Sequence, residues 1–445
     1  MLVYISLIVV FIMLISSVIL NITIVLPLTA GLFIFLLIAY KQGYGPKELW
    51  QMSLNGIKKT SLIYFLLLFI GPTTSLWMIC GTIPFLINRG ISFISPNTFV
   101  IAVFFGTLIV GLLFGSAFAT VGTIGVVFMA IARTGNVNQA VVAGVIVAAS
   151  YMGERGTPVS TTLNLLTFLT KTDIYENIKR FFISTLVPLI VVIVFYGILS
   201  YLNPIAGNVS ASVSVIEKNF KLGYITALPA LIVIILAILK LDVRKILGAS
   251  MATAFLVGLF YQGLSIQTLL NTMIFGYHPT TDLSMAAMLH GGGLASIIKS
   301  FFIVFIASAY GGIFQETGML RSFQNLITKI SEKFGLFAGA VFTGIVSNCF
   351  GCSQTFGIVT THQFIEEQYQ KSYSSEEEGN KALSLDLGNS AMMVAPLIPW
   401  NISCAFPAAV LAVNFSFIPY ELFLYLVPIY ILFFTKRKLQ PVKTN

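Results

Sequence analysis

The sequence predicts an all-α polytopic membrane protein with roughly 10–12 transmembrane segments, arranged in two inverted repeats with re-entrant hairpins and broken helices. Three observations predict it. Apolar residues make up 57% of the 445-residue chain and charged residues only 9%, with a mean hydropathy of +0.93. Those apolar residues fall in runs long enough to cross about 30 Å of hydrocarbon, which takes ~20 helical residues. Two stretches inside apolar sequence are rich in helix breakers and small polar side chains: Gly153-Glu154-Arg155-Gly156-Thr157-Pro158-Val159-Ser160-Thr161-Thr162-Leu163-Asn164 and Ala395-Pro396-Leu397-Ile398-Pro399-Trp400-Asn401. Irregular backbone at membrane depth is tolerated only where it lines a cavity or is buried in protein.

Taken in order, the runs 2–20, 22–40, 61–81, 99–114, 138–152 and 181–201 read as spans of a first half. The runs 224–240, 246–262, 299–315, 335–350 and 418–434 read as spans of a second. Segments near 83–96, 116–132 and 403–416 fit either a span or a re-entrant piece. The first run lacks a basic leader and a small-residue cleavage site, so it reads as a span and not as a removed signal. Between the halves, 202–222 carries Asn203-Pro204, Gly207, Ser210 and Ser212 and reads as a linker centred on about 206–220. Residues 1–445 form one transmembrane domain in this reading, with repeat one near 30–205 and repeat two near 220–435.

The formal charge is +9, and its placement sets orientation. Lys41, Lys47, Lys58 and Lys59 share one loop, Lys240, Arg244 and Lys245 another, and Lys436, Arg437 and Lys438 follow the last run. Basic residues stay preferentially on the cytoplasmic side, so these ends face the cytoplasm and the protein is a multi-pass protein of the cytoplasmic membrane. Such basicity reports topology and gives no support to nucleic-acid binding. The acidic run Glu366–Glu378 reads as a solvated loop. Cys349-Phe350-Gly351-Cys352 has C-x-x-C spacing but no second pair, so the four cysteines, with Cys80 and Cys404, read as small buried side chains. His278, His290 and His362 do not cluster, which favours loop or cap roles over metal.

A weak internal repeat is visible. Gly115-Ser116-Ala117-Phe118-Ala119-Thr120-Val121-Gly122-Thr123 has a counterpart in Gly351-Cys352-Ser353-Gln354-Thr355-Phe356-Gly357. Ser116 precedes Asn164 by 48 positions, and Ser353 precedes Asn401 by 48. The equal spacing predicts Asn164 and Asn401 at equivalent places on opposite sides of one cavity. Paired broken segments of this kind mark a transport site at the interface of repeats.

The chemistry follows from the breaks. Pro158, Pro396 and Pro399 remove backbone donors. Freed carbonyls, with hydroxyl and amide oxygens, can hold sodium, a hard ion that prefers oxygen, and half-helix N-termini can face an anion. The candidate ion- or substrate-binding residues are Glu154, Ser116, Thr120, Thr123, Thr157, Ser160, Thr161, Thr162, Asn164, Ser353, Gln354, Thr355, Asn389, Ser390 and Asn401. Ser160, Thr162, Asn164, Ser353 and Asn401 are the candidate sodium ligands. A plainer role for any one hydroxyl is to satisfy a carbonyl between packed helices. Glu154 is the sharpest residue, because an intramembrane acid is costly and functional by default; its plainer reading is an ion pair with Arg155 at a membrane boundary. Glu316 reads as interfacial, and Asp386 as facing either cavity or loop.

At this point the motifs are recognisable. The run Gly71-Pro72-Thr73-Thr74-Ser75-Leu76-Trp77-Met78-Ile79-Cys80-Gly81-Thr82-Ile83-Pro84 resembles the NhaC-type sodium/proton antiporter family. So do Gly115–Gly125, Gly153–Asn164, Gly311–Leu320 and Ala395–Asn401, in order over about residues 70–405. The resemblance implies an ion-transporter fold, a homodimer, and sodium and protons as the transported or coupling ions, with no cofactor. Departures matter too. The family usually reads Gly-Asp-Lys where this chain has Gly153-Glu154-Arg155, which keeps an acid and a base. It usually carries acids where this chain has Thr161, Ser353 and Asn389. Those replacements cannot cycle protons, but they can bind sodium or a solute.

The expected function is therefore secondary active transport, foremost sodium/proton antiport by alternating access. The alternative is sodium-coupled movement of a small organic acid or amino acid, since shedding acids suits an anionic solute. An enzyme would need a nucleophile and base or a metal motif such as H-E-x-x-H, and the sequence has none. A channel would show pore-lining rings in place of two broken-helix sites.

Overall fold

The computed structural model describes residues 2–20, 22–206, 209–279 and 289–435. The apolar runs fold as helices, α1 (Leu2–Ile19), α2 (Val25–Lys41), α3 (Pro46–Lys59), α4 (Ser61–Ile79), α5 (Thr82–Phe93) and α6 (Phe99–Phe114). Then follow α7 (Ala117–Thr134), with a π-helical turn at Val121–Gly125, and α8 (Gln139–Arg155). α9 (Thr161–Thr170), α10 (Ile174–Ser184), α11 (Leu186–Leu202) and α12 (Val209–Asn219) complete the first half. The second half holds α13 (Leu228–Ile238), α14 (Val243–Leu256), α15 (Ile266–Phe275), α16 (Gly293–Thr317), α17 (Gln324–Phe334) and α18 (Leu336–Gly351). It ends with α19 (Gln354–Ser372), α20 (Glu376–Asn389), α21 (Ile402–Val410) and α22 (Leu422–Phe434). Among the described residues the only β pairing is an isolated bridge between Tyr277 and Gly291.

Five uninterrupted stretches are long and apolar enough to span: Ser61–Ile79, Pro96–Phe114, Ala117–Thr134, Val243–Tyr261 and Gly293–Thr317. Two bent pairs, α10 with α11 at 57° and Glu376–Leu397 with α21 at 49°, raise that to seven among the described residues. The expected spans 2–20, 22–40, 224–240, 335–350 and 418–434 form apolar helices of 10–17 residues by the same measure. The bend after α10 falls two residues before Pro188, where a ring replaces a backbone donor.

Two expectations change. The run Glu366–Glu378 is not one loop: Glu367 pairs with Lys371 at 2.7 Å on α19, and Glu376, Glu377 and Glu378 form the first turn of α20, where acids favour the helix dipole. The linker contains the helix α12. Gly207 and the basic cluster Lys436, Arg437 and Lys438 lie outside the described residues.

Neighbouring contacts fix relative direction. α4 and α14 run side by side and parallel. Trp77 donates to Ser250 Oγ at 3.0 Å, and Gln262 donates to the Cys80 carbonyl at 3.1 Å. The starts of both helices, next to Lys58 and Lys59 and next to Arg244 and Lys245, therefore lie at the same end. α3 lies against α16 with their backbones in contact. A Cβ on Gly56 would sit 2.1 Å from the Ser308 carbonyl oxygen, and one on Gly312 would sit 2.1 Å from that of Met52. Small residues let helices approach this closely.

Candidate functional site

Two helix interruptions have the same local form. α6 stops at Gly115, which is left-handed with φ 62°, and the extended Ser116 caps α7. α18 stops at Cys352, left-handed with φ 52°, and the extended Ser353 precedes α19. Each is braced by a second break. A Cβ on Gly115 would lie 2.8 Å from the Ser160 nitrogen, where Ser160 caps α9 by accepting the Leu163 N–H at 3.1 Å. Ile402 donates its N–H to the Cys352 carbonyl at 2.9 Å, and Asn401 caps α21 by accepting the Ser403 N–H at 2.9 Å. Serine and asparagine suit these places because their short side chains satisfy otherwise free N–H groups.

A cavity of about 290 Å³ lies between the breaks. The first half lines it with Ser116, Glu154, Thr161 and Thr162, and the second with Ser353, Gln354, Thr355 and Ser403. Lys59 and Thr60, at the end of α3, and Ser308 and Gln315, on α16, line it as well. Lys59 donates to Gln315 at 2.7 Å, and the Thr60 and Ser308 hydroxyls are 2.7 Å apart.

Glu154 is buried in the last turn of α8. Its Oε1 accepts from the Thr162 hydroxyl at 3.1 Å, and its Oε2 has no hydrogen-bond partner. The Ala117 N–H, at the start of α7, neighbours the carboxyl group. An acid there is favoured by the helix N-terminus. Arg155 does not neutralise it. Adjacent helical residues point about 100° apart, and Arg155 turns instead to the Asn389 Oδ1 at 2.5 Å and the face of Phe181 at 4.3 Å.

Seven of the residues selected from sequence line the cavity: Ser116, Glu154, Thr161, Thr162, Ser353, Gln354 and Thr355. Most of the others serve the surrounding backbone. Thr120 donates to the Ser116 carbonyl and Thr123 to that of Ala119. Thr157 is buried in the connection before α9. Ser390 donates to the Asp386 carbonyl at 2.6 Å, and Asn389 serves Arg155. Ser160 and Asn401 act as caps. Asn164 is exposed and donates to the carbonyls of Pro158 and Ser160. Asn164 and Asn401 therefore do not face each other across this cavity. By capping role Ser160, not Asn164, matches Asn401; the two positions differ by about one helical turn. Of the candidate sodium ligands, Thr162 and Ser353 reach the cavity.

Asp386 is buried and accepts from Tyr369 at 2.6 Å, away from the cavity lining. Glu316 accepts from Asn55 at 2.9 Å in an exposed position. The four cysteines are free and buried. Among the described residues no group of three His, Cys, Asp or Glu side chains could hold a metal ion. Lys59, Thr60, Ser308, Gln315 and Ser403 were not legible as lining residues. Only Ser403, two positions after Asn401 in a broken segment, carried a local signal.

A family model described as the Na+/H+ antiporter family matches residues 151–435. The chain is 28% identical over 414 residues to the Na(+)/H(+) antiporter NhaC of Alkalihalophilus pseudofirmus, covering 91% of this chain and 88% of that one. It is 23% identical to the malate-2H(+)/Na(+)-lactate antiporter of Bacillus subtilis, covering 91% and 87%. It is 26% identical to the arginine/ornithine antiporter ArcD of Halobacterium salinarum, covering 89% and 83%.

Proposed function

The chain belongs to the Na+/H+ antiporter family, and from that premise we propose that it exchanges sodium for protons across the cytoplasmic membrane as a secondary active transporter. The carrying observation is Glu154: a buried carboxyl group in a cavity built from both halves, with one oxygen unpartnered. A bare carboxylate in a poorly solvated site is costly, so it holds either a proton or a cation. Two ions competing for one negative charge are exchanged and not co-transported. With sodium bound, Glu154 and Thr162 supply oxygens, and Ser116, Ser353 and Ser403 stand around the same space. With a proton bound, Thr162 still holds Oε1 in place.

The cavity is lined by Lys59, and so lies toward the end where α4 and α14 begin beside basic clusters. By the positive-inside bias that end is cytoplasmic, and this conformation faces inward. The two similar interruptions support reading the halves as inverted repeats that rock about the site. On the same family reading the working unit is a homodimer, a mass that light scattering in detergent measures.

The test is transport in proteoliposomes. Wild type should acidify or alkalinise the lumen in response to a sodium gradient. Glu154→Gln, at matched levels of folded and inserted protein, should not. Equal exchange by the two proteins rejects Glu154 as the exchanging group.

A second reading draws on cavity size. About 290 Å³ is far more than sodium needs, and relatives carry names of carboxylic-acid and amino-acid antiporters. A carboxylate solute would sit toward the starts of α7 and α19, with Thr161 and Ser353 where acids would repel it. Thr161→Asp should then depress solute uptake. Sodium/proton exchange that no carboxylic or amino acid alters would dismiss this reading.

A further inference from the structure

A second buried acid lies outside the cavity. Glu421 joins the 3₁₀ turn Phe415–Tyr420 to α22, and none of its surface is accessible. Both carboxyl oxygens lack a hydrogen-bond partner. The surrounding backbone is closed to it. Tyr151, on α8, donates to the Ser403 carbonyl at 2.9 Å, and Tyr196, on α11, donates to the Tyr420 carbonyl at 2.8 Å. The titratable groups facing Glu421 are Tyr151, Tyr196, Cys404 on α21 and, one turn along its own helix, Tyr425. None of these is a cation. A bare carboxylate enclosed in this way, with no donor and no cation beside it, is costly.

The same site is joined to the cavity. Tyr151 lies one turn before Glu154 on α8, and the Tyr151 hydroxyl is within electrostatic range of both acids. Its acceptor, Ser403, lines the cavity. We propose that Glu421 is a second proton-binding site, coupled across Tyr151 and Ser403 to the cation in the cavity. In the step, Glu421 is closed in as a carboxylic acid in the conformation described; as sodium enters and the pocket opens to water, it gives its proton to that water and becomes a carboxylate. A positive charge nearby in a medium of low dielectric constant favours that loss, and by reciprocity a proton on Glu421 weakens sodium binding. This rests on the sodium reading of the cavity.

Infrared difference spectroscopy of the full-length protein in lipid, with sodium added at fixed pH and potassium as control, tests it. Wild type should lose two protonated-carboxyl C=O bands on sodium addition, one from Glu154 and one from Glu421, and Glu421→Gln should keep the Glu154 change alone. Should Glu421→Gln fail to fold, Glu421→Asp should move the Glu421 band in frequency. A wild-type response to sodium that both Glu421 variants leave unchanged, band for band, overturns the proposal. Proteoliposomes separate the two claims. Wild type without any sodium/proton exchange removes the antiport reading, while the spectroscopic response to sodium still decides the Glu421 site.

Discussion

The Thr162 hydroxyl, in the first turn of α9, donates to the Glu154 carboxylate, in the last turn of α8, at 3.1 Å. A hydrogen bond therefore crosses the proline-containing break and ties its two ends together at the cavity wall. A bond to a charged acceptor is worth about 1.5–3 kcal/mol, or roughly ten- to a hundredfold. Thr162→Val should raise the sodium KM by a factor in that range, and Thr162→Ser should restore it. Sodium-driven proton flux in proteoliposomes measures both.

Competition for Glu154 sets the sign of the pH dependence. Protons and sodium exclude each other, so raising the pH removes the competitor. The apparent sodium KM should fall as pH rises, by up to about tenfold per unit, until the site is free of protons. A sodium KM that does not change with pH would mean that the two ions use different groups.

Gly115 touches the Ser160 backbone and adopts a left-handed conformation. Gly115→Ala adds a Cβ where none fits and strains φ as well, at about 1–3 kcal/mol. The two breaks of the first half should be forced apart. Expected outcomes are a lower melting temperature in detergent and loss of exchange at temperatures where the protein remains folded.

The Arg155 guanidinium is buried against a neutral amide and an aromatic ring. Asn389→Asp would place a carboxylate against a buried cation that now has an amide there. Leaving one partner of a buried pair alone costs about 3–5 kcal/mol, so supplying the missing partner should stabilise the protein by a part of that. Thermal unfolding should shift upward in the variant; a downward shift would show that desolvating the new acid outweighs the attraction.

Lys59 is exposed and lines the cavity that a cation must enter. Its charge opposes entry through water, where screening acts over about 10 Å at 0.1 M salt. Lys59→Gln should speed sodium uptake at low ionic strength and leave it unchanged at high ionic strength, as read by initial rates against added choline chloride.

The breaks were legible because proline, glycine and serine interrupt apolar runs whatever the tertiary context. Glu154 was legible for the same reason, as an acid in such a run. What surrounds it was not. Lys59 and Gln315 meet across 256 positions, a distance that no local pattern spans. The equal spacing of Asn164 and Asn401 misled, because counting residues cannot tell that the cap on one side is a serine a helical turn earlier. Glu421 stands near the edge of the apolar run 418–434 with no helix breaker or polar cluster of the Glu154 kind around it, and only the packing of α8 and α11 shows that its carboxyl group is enclosed in this conformation.

The glycine contact between α3 and α16 has a mechanical consequence. With no side chains between Gly56 and Gly312, and with Asn55–Glu316, Lys59–Gln315 and Thr60–Ser308 bonds beside it, the two helices behave as a single beam. Neither can slide past the other or rotate on its axis without breaking that seam. The wall they give the cavity can only tilt as one piece, about a fulcrum at its ends. Gly318, left-handed just beyond α16, caps that beam by donating its N–H to the Phe314 carbonyl.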